Sequence, residues 1–216
     1  MTFKGILFDL DGTLLDTNEL ILQSFQHTMR THYNKDADLT LAKSYFGKPL
    51  RDALQEMGPG QVDDLIKTYR EFNLLHHDEL AKVFTGVVVA VQKLYSAGIQ
   101  LAIVTSKTRT TAIRGLKLFD MDKYFPVVIG HEDCKCHKPN PEPVLHALEK
   151  LNLPAAECLM VGDSPFDLIS ARAAGVKTAA VRWTAVPWKS LLDEKPDYIL
   201  ETMDDLLTVC EVSRNN

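Results

Sequence analysis

After Gly86, short apolar runs alternate with stretches in which apolar residues recur at helical spacing. The runs predict strands, and the stretches between them predict helices. The predicted strands are residues 101–105, 127–129, 158–161, 178–181 and 198–200, and the predicted helices are residues 87–97, 108–119, 143–151 and 164–174. Short apolar runs without polar alternation are typical of parallel strands buried on both faces. The pattern therefore predicts an α/β fold with a doubly wound parallel sheet.

A single strand precedes this alternation and is separated from it by a helical stretch. Residues 3–10 form an apolar run that ends at an Asp-Gly pair, and one strand cannot stand alone, so we expect it to join the sheet. Residues 16–83 contain no convincing strand, and their apolar residues fall at helical spacing. Glycine and proline divide this stretch into short helices at Gly47, Pro49, Gly58, Pro59 and Gly60. We expect residues 16–84 to form a helical insertion, and residues 1–15 and 85–216 to form the α/β core.

Composition and charge exclude several classes of protein. The chain has 216 residues, of which 45% are hydrophobic and 25% are charged, as in a globular protein. The net charge of −5 argues against a nucleic-acid-binding domain, which carries a basic face. No apolar run reaches the roughly 18 residues of a membrane span, and the first residues lack the layout of a signal peptide. We expect a cytoplasmic protein without nucleic-acid or membrane partners, and the oligomeric state stays open.

Two aspartates follow the first predicted strand within Asp9-Leu10-Asp11-Gly12-Thr13. Residues i and i+2 of a strand point the same way, so Asp9 and Asp11 should converge beyond its carboxyl end, where open parallel sheets bind ligands. Two carboxylates repel each other unless a cation lies between them, and hard oxygen ligands favour Mg²⁺. A plain Asp-Gly turn is the structural alternative.

A third carboxylate belongs to the same predicted edge. Asp163 ends the apolar run at residues 158–161, so it should reach the crevice of Asp9 and complete the metal site. Ser164 and Pro165 form an ordinary helix start. For Asp167 the sequence leaves two roles open: a cap for that helix, or a brace for the groups that bind the metal.

Two further positions offer groups that could bind or attract an anion. Thr105 and Ser106 follow the apolar run of the predicted strand at residues 101–105, where a hydroxyl and backbone N–H groups suit a phosphate oxygen, although Ser or Thr before a helix is usually just a cap. Lys138 lies among Pro139, Pro141 and Pro143, whose rings rigidify the segment and would hold the lysine as a fixed charge. A solvated loop lysine is the alternative.

Cysteine and histidine also cluster beside Lys138. The segment Cys134-Lys135-Cys136-His137 offers three soft ligands, but no second Cys/His pair follows at zinc-finger spacing. We therefore do not expect a zinc site from this pattern, and whether Cys134, Cys136 and His137 bind anything stays open.

In chain order, residues 9–13, Thr105, Lys138 and residues 162–167 resemble the four motifs of the haloacid dehalogenase-like phosphatases. The resemblance covers the whole chain and includes a helical cap inserted after the first strand of a Rossmann-like core. Residues 16–21, 69–73, 76–78 and 114–118 are similar to a group of bacterial pyrophosphatases within that superfamily. Phosphoglycolate phosphatases are the next most similar group.

This resemblance implies a chemistry for the candidate residues. Asp9 would attack phosphorus and become an aspartyl phosphate, and Asp11 would protonate the leaving oxygen and then take a proton from water. Mg²⁺ would be held by the Asp9 carboxylate, the Asp11 backbone carbonyl and Asp163. The equatorial oxygens of the phosphate would be bound by Thr105, the N–H of Ser106 and Lys138.

The resemblance also implies a small phosphate-containing substrate, with inorganic pyrophosphate expected first. Pyrophosphate has no carbon for an apolar pocket to bind, so a selective cap must offer cations. Gly47, Lys48 and Arg51, on a loop that enters a helix, are the candidate substrate-binding residues of the cap, and a solvent-facing basic turn is the alternative. Phosphoglycolate or another small phosphomonoester is the alternative substrate. A sugar phosphomutase and a catalytically idle binding protein are weaker alternatives.

Overall fold

The computed structural model describes residues 3–58 and 60–212, so Met1, Thr2, Pro59 and residues 213–216 lie outside the described residues. Over these residues the chain forms eight β-strands and ten α-helices. The strands are β1 (Gly5–Phe8), β2 (Leu15–Asp16), β3 (Lys82–Val83), β4 (Gln100–Val104), β5 (Val127–Ile129), β6 (Cys158–Gly162), β7 (Lys177–Val181) and β8 (Tyr198–Leu200). The helices are α1 (Asn18–Tyr33), α2 (Leu39–Ser44), α3 (Leu50–Met57), α4 (Val62–Leu80), α5 (Val87–Ser96), α6 (Arg109–Leu118), α7 (Glu142–Leu151), α8 (Pro165–Ala173), α9 (Trp188–Asp193) and α10 (Met203–Val209).

Six of the strands form one parallel sheet in the order β5-β4-β1-β6-β7-β8. β1 lies inside the sheet, where Phe8 is in register with Ile103 of β4 and Val161 of β6. The chain extends from β1 through β4 to β5 on one side and then crosses to β6 on the other, so the strand order reverses beside β1. Sheets of this kind bind ligands beyond the carboxyl ends of the strands at such a reversal.

Helices cover both faces of the sheet. Alternate side chains of β1 point to opposite faces. Ile6 and Phe8 pack in one apolar cluster with residues of α5, α6 and α10, whereas Leu7 packs in another with residues of α7 and α8. All three side chains are fully buried. The predicted α/β fold with a doubly wound parallel sheet is confirmed.

The helices α1 to α4 lie between β2 and β3, which pair antiparallel through Leu15 with Val83 and Asp16 with Lys82. These strands have two residues each, too few to produce the periodic pattern by which strands are predicted. The four helices enclose an apolar cluster of their own, which contains Phe25 and Leu54. The division of the chain into a core and a cap at residues 16–84 stays a prediction. Among the described residues, no helix has both the length and the apolar character needed to cross a membrane.

Candidate active site

Asp9 lies directly beyond β1, at the reversal of the strand order. Its backbone amide donates a hydrogen bond to the carbonyl oxygen of Val161 at 2.9 Å, which continues the pairing of β1 with β6. Its side chain points into the crevice and is almost completely buried. Burial raises the pKa of Asp9 to about 7, because lost hydration and repulsion from Asp167 outweigh the attraction of Lys138.

Lys138 is a buried charge and not a solvated loop lysine. Its ammonium donates hydrogen bonds to Asp9 Oδ1 at 2.6 Å, to Asp167 Oδ1 at 2.5 Å and to the carbonyl oxygen of Val104 at 3.1 Å. All three of its protons therefore have an acceptor. Burial alone lowers the pKa of Lys138, but the carboxylates of Asp167 and Asp9 raise it above its ordinary value, so the ammonium stays charged.

Three buried carboxylates meet at this point. Asp9, Asp163 and Asp167 each bring one oxygen within 4.8 Å of the others. The backbone at Gly12 lies close to the Asp163 carboxylate. Its φ is +84°, and a Cβ added at this position would lie 2.2 Å from Asp163 Oδ2. Burial raises the pKa of Asp163 well above its ordinary value, and repulsion from Asp9 and Asp167 adds to the effect.

The donor set of this cluster fits a divalent cation. The three carboxylates offer hard oxygen atoms, the ligands that Mg²⁺ prefers. Within the described residues one ammonium group, that of Lys138, pairs with Asp9 and Asp167, and no ion pair is formed by Asp163, so negative charge is in excess. A bound cation would neutralise this excess, which is otherwise expensive to bury.

Asp167 caps α8 and also binds Lys138, whereas its predicted role of bracing a metal site stays a prediction. At the start of α8, its Oδ2 accepts hydrogen bonds from the backbone amide of Ser164 at 3.0 Å and from the Ser164 hydroxyl at 2.7 Å. Its Oδ1 accepts from Lys138, which in turn binds Asp9. One carboxylate therefore begins the helix and orients the lysine beside the candidate nucleophile.

Asp11 binds Lys107, a residue that the sequence analysis missed. The Lys107 ammonium donates to Asp11 Oδ1 at 2.7 Å and to Oδ2 at 3.0 Å, and the Thr17 hydroxyl donates to Oδ1 at 2.6 Å. Burial raises the pKa of Asp11, but the charge and hydrogen bonds of Lys107, with the Thr17 hydroxyl, outweigh burial and hold this pKa below its ordinary value. Its position in the sequence could have predicted a place in the site, because Lys107 follows Thr105 and Ser106 at the end of β4.

A cavity of about 290 Å³ lies between this edge of the sheet and the helices α1 to α4. Part of its lining comes from residues of the site, namely Asp9, Asp11, Thr105, Ser106 and Lys107. Another part comes from apolar side chains of the helical stretch, including Ile21, Phe25, Leu50 and Ala53. The cavity is at the small end of the range for ligand pockets, so it suits a small substrate.

Gly47 connects the helical stretch to the rim of the site. Its carbonyl oxygen accepts a hydrogen bond from the Ser106 hydroxyl at 3.3 Å. Its φ is +80°, and a Cβ at this position would lie 2.6 Å from Ser164 Oγ. Glycine is therefore required here both by the left-handed backbone and by close approach to the core.

The three candidate cap residues do not all reach the cavity. Gly47 and Lys48 line it, but the Lys48 ammonium pairs with Glu56 at 2.6 Å. Arg51 is not among the described residues that line the cavity; its guanidinium pairs with Asp63, and about half of its side chain is exposed. α3 begins at Leu50 and presents Arg51 toward α4 instead of toward Asp9.

A second arginine lines the cavity and was not predicted. Arg70, on α4, contributes to the lining together with its neighbours Tyr69 and Asn73. No carboxylate among the described residues forms an ion pair with Arg70. Arg70 is therefore a cation of the helical stretch that is available to an anionic ligand, and Arg51 is already neutralised.

Comparisons with known proteins show the family to which the chain belongs. A model of the haloacid dehalogenase-like hydrolase family matches residues 6–181. Pyrophosphatase PpaX of Anoxybacillus flavithermus is 43% identical over 213 residues, which are 99% of each chain. A protein of Caldanaerobacter subterraneus subsp. tengcongensis that also bears the name PpaX is 47% identical over 209 residues, 97% of this chain and 95% of its own. The crystal structure of a predicted phosphatase from Clostridium acetobutylicum superposes with a TM-score of 0.87 and 25% identity, covering 98% of this chain and 100% of its own.

The family match spans far more than half of the chain and includes Asp9, Asp11, Thr105, Lys138 and Asp163. The predicted superfamily and the predicted hydrolytic enzyme class are both confirmed. This chain belongs to the haloacid dehalogenase-like hydrolases.

Proposed function

We propose that this enzyme hydrolyses inorganic pyrophosphate to phosphate through a phosphorylated Asp9, with Mg²⁺ as its cofactor and residues 16–84 as a cap over the site. The observation that carries the proposal is the surroundings of the two aspartates. Asp9 is buried beside a fixed ammonium, and Asp11 is held ionised by Lys107. The names of the PpaX relatives support the same substrate.

Asp9 has one carboxylate oxygen available for attack. Lys138 binds Oδ1, so Oδ2 is the oxygen that would form the bond to phosphorus as the bond to the leaving phosphate breaks. Water would then hydrolyse the aspartyl phosphate, which releases the second phosphate and restores the carboxylate. Mg²⁺, held by Asp9, Asp163 and the Asp11 backbone carbonyl, would supply positive charge against the phosphate oxygens. Lys138, Thr105 and the N–H of Ser106 would bind the remaining oxygens.

The lowered pKa of Asp11 favours an anhydride over a phosphomonoester. An alkoxide leaving group needs a proton, and a carboxyl held ionised by Lys107 is a weak proton donor. A leaving phosphate is stable as an anion and needs that proton far less. Ionised Asp11 is instead suited to accept a proton from the water that hydrolyses the aspartyl phosphate.

One cation at the cavity suits the second phosphate of the substrate. Arg70 lines the cavity wall and has no carboxylate partner in the described part of the chain, whereas Lys48, which also lines the cavity, is paired with Glu56. A phosphate at this wall would receive charge-assisted hydrogen bonds, which are stronger than neutral ones. Arg51, paired with Asp63, has no such role in the proposal.

The apolar part of the cavity lining favours a second candidate, a small phosphomonoester with an organic leaving group such as phosphoglycolate. Ile21, Phe25 and Leu50 contribute to this lining, and pyrophosphate would leave their surfaces without a partner. A sugar phosphomutase or an idle binding protein has no comparable observation in its favour.

Phosphate release from purified enzyme with Mg²⁺ tests the proposal. Pyrophosphate, phosphoglycolate, a sugar phosphate and an aryl phosphate are compared by kcat/KM. We expect pyrophosphate to be preferred over each monoester. A preference for phosphoglycolate would overturn the substrate and leave the phosphatase mechanism intact, whereas no release from any of them would overturn both.

A further inference from the structure

A second group of metal-binding side chains lies outside the candidate active site, where the chain enters α7. Cys134, Glu142 and His146 each offer one ligand atom, and these atoms all lie within 4.8 Å of one another. The thiol sulfur of Cys134 is 3.5 Å from His146 Nδ1. All three residues are half-buried, so the ligand atoms converge below the surface and remain reachable from solvent.

The sequence pattern at residues 134–137 did not predict this group, because Glu142 and His146 belong to the helix that follows. Glu142 and His146 are four residues apart in α7 and therefore share one face of the helix. The preceding segment brings Cys134 to that face. His137 instead stacks on His131, with their ring centroids 3.9 Å apart.

The Glu142 carboxylate is already fixed in place by the segment that carries Cys134. Its Oε1 accepts a hydrogen bond from the backbone amide of Lys135 at 2.8 Å, and its Oε2 accepts one from the amide of Cys136 at 2.9 Å. Each carboxylate oxygen has two lone pairs, so each can still bind an ion. Such bonds to a ligating carboxylate orient it and strengthen metal binding.

We propose that Cys134, Glu142 and His146 bind one transition-metal ion, with Zn²⁺ as the preferred ion and a fourth position open to solvent. Sulfur, nitrogen and carboxylate oxygen are the donors that zinc uses, at about 2.0–2.3 Å from the ion. Two such ligand atoms around a tetrahedral ion lie roughly 3.5 Å apart, which is the separation of Cys134 Sγ and His146 Nδ1. Mg²⁺ disfavours sulfur, so the two centres of the protein select different metals.

The ion would join the start of α7 to the segment that leads to Lys138. Cys134 binds as a thiolate, and its proton passes to solvent. The bound ion would hold both ends of the segment from Cys134 to Glu142, and the lysine of the active site lies between them. Metal binding should therefore raise the melting temperature of the folded protein.

Titration of the reduced full-length protein with Co²⁺ tests the site, because a cobalt–thiolate absorption band reports sulfur coordination. Excess Mg²⁺ is present throughout, and the carboxylate cluster at Asp9 has no sulfur to produce the band. We expect one equivalent of Co²⁺ to produce the band and one equivalent of Zn²⁺ to remove it. Cys134→Ser should abolish the band, and His146→Ala should weaken affinity at least about 100-fold, the upper end of the cost of losing an outer partner of a metal ligand.

Cys136→Ser is the matched control, since Cys136 is exposed, lies two residues from Cys134 and contributes none of the three ligand atoms. Its side chain contacts Glu142, and serine keeps a hydrogen-bond donor there. Cys136→Ser should keep the band, with affinity within about tenfold of wild type. Zn²⁺ should raise the melting temperature of wild type and Cys136→Ser, and not that of Cys134→Ser. If either ligand variant fails to fold, Glu142→Gln replaces it, with weaker Co²⁺ binding expected. No stoichiometric band, or a band that persists in Cys134→Ser, would overturn the proposal.

Discussion

The ammonium of Lys107 lies 2.7 Å from Oδ1 of Asp11 and 3.0 Å from Oδ2, so it contacts both oxygens of the carboxylate. Both side chains are largely shielded from water, which strengthens the attraction relative to a surface pair. The pair holds Asp11 in its ionised form. It thereby favours one half of the proposed reaction, proton removal from water, over protonation of the leaving group.

Lys107→Met should move the pH profile of kcat toward higher pH. Without the ammonium the pKa of Asp11 rises, because burial then dominates, and the ionised base is lost at a higher pH as the solution is acidified. Lys107→Arg keeps the charge and serves as the control. Profiles of kcat on pyrophosphate for the three proteins check this, and an unshifted acid limb in Lys107→Met would remove Asp11 from the role of base.

Asp9→Asn should abolish turnover and leave the fold intact. The side chains are nearly isosteric, and loss of the nucleophile removes the covalent route, at a cost on the order of 10⁴-fold or more in kcat. Because burial raises the pKa of Asp9, its ionised form is costly in the folded state. Metal-free Asp9→Asn should therefore be at least as stable as wild type near pH 8. Urea denaturation gives the free energy of unfolding, and phosphate release gives the activity. Substantial residual turnover in Asp9→Asn would contradict the role of Asp9 as nucleophile.

Much of the core was predictable because its signals are local and strong. The apolar runs at Val127–Ile129 and Tyr198–Leu200 coincide with β5 and β8, and Asp9 and Asp163 follow strands whose carboxyl ends must meet. The helix α9 was missed because it has only six residues, too few for a periodic pattern.

Partner choice among charged residues was not predictable. Arg51 and Arg70 are both arginines of the helical stretch. Arg51 forms an ion pair with Asp63, whereas Arg70 lines the cavity. That outcome depends on how α3 packs against α4, and no local pattern encodes it. Lys107 was missed for the same reason, since its partner Asp11 is 96 residues away in the sequence.

Mg²⁺ should stabilise the protein more at higher pH. Burial raises the pKa of Asp9 to about 7 from 3.8 and raises that of Asp163 well above its ordinary value. Between the unfolded and folded pKa values the folded state binds more protons, so metal-free protein loses stability as pH rises through this window. A cation that replaces those protons removes the loss, and its affinity rises by about tenfold per pH unit for each proton displaced.

Melting temperatures measured with EDTA and with Mg²⁺, from about pH 5 to pH 8, test this dependence. The difference should widen steadily with pH in wild type. Asp163→Asn, which lacks one of the three carboxylates, should show a small difference at every pH. A difference that is constant across the range in wild type would contradict Mg²⁺ binding at these carboxylates.

Arg70→Ala should reduce kcat/KM for pyrophosphate, and Arg51→Ala should not. A hydrogen bond to a charged group contributes about 1.5–3 kcal/mol, so loss of Arg70 should cost roughly 10- to 100-fold. Arg51 is exposed and paired with Asp63, so its removal should change kcat/KM by less than about threefold. An aryl phosphate, which has no second phosphate, should be affected little by either change. Equal losses on both substrates in Arg70→Ala would assign Arg70 to the core chemistry.

Gly47→Ala should disturb the contact between the proposed cap and the core, and comparison with a matched glycine variant distinguishes this effect from a loss of stability. The backbone at Gly47 has a φ of +80°, and an added Cβ would lie 2.6 Å from Ser164 Oγ, so the loop must move away from the core. Gly98 is a matched control, because its φ is +82° and an added Cβ would meet nothing within 4 Å. Both variants should lose about 1–2 kcal/mol of unfolding free energy from the left-handed backbone.

Only Gly47→Ala should also bind substrate more weakly. Displacement of the loop breaks the hydrogen bond from Ser106 to the Gly47 carbonyl and opens the cavity to water. We expect a higher KM for pyrophosphate in Gly47→Ala and wild-type KM in Gly98→Ala, measured well below both melting temperatures. If the two variants show the same KM, the contact between Gly47 and the core has no part in substrate binding, and residues 16–84 do not act on the site through this loop.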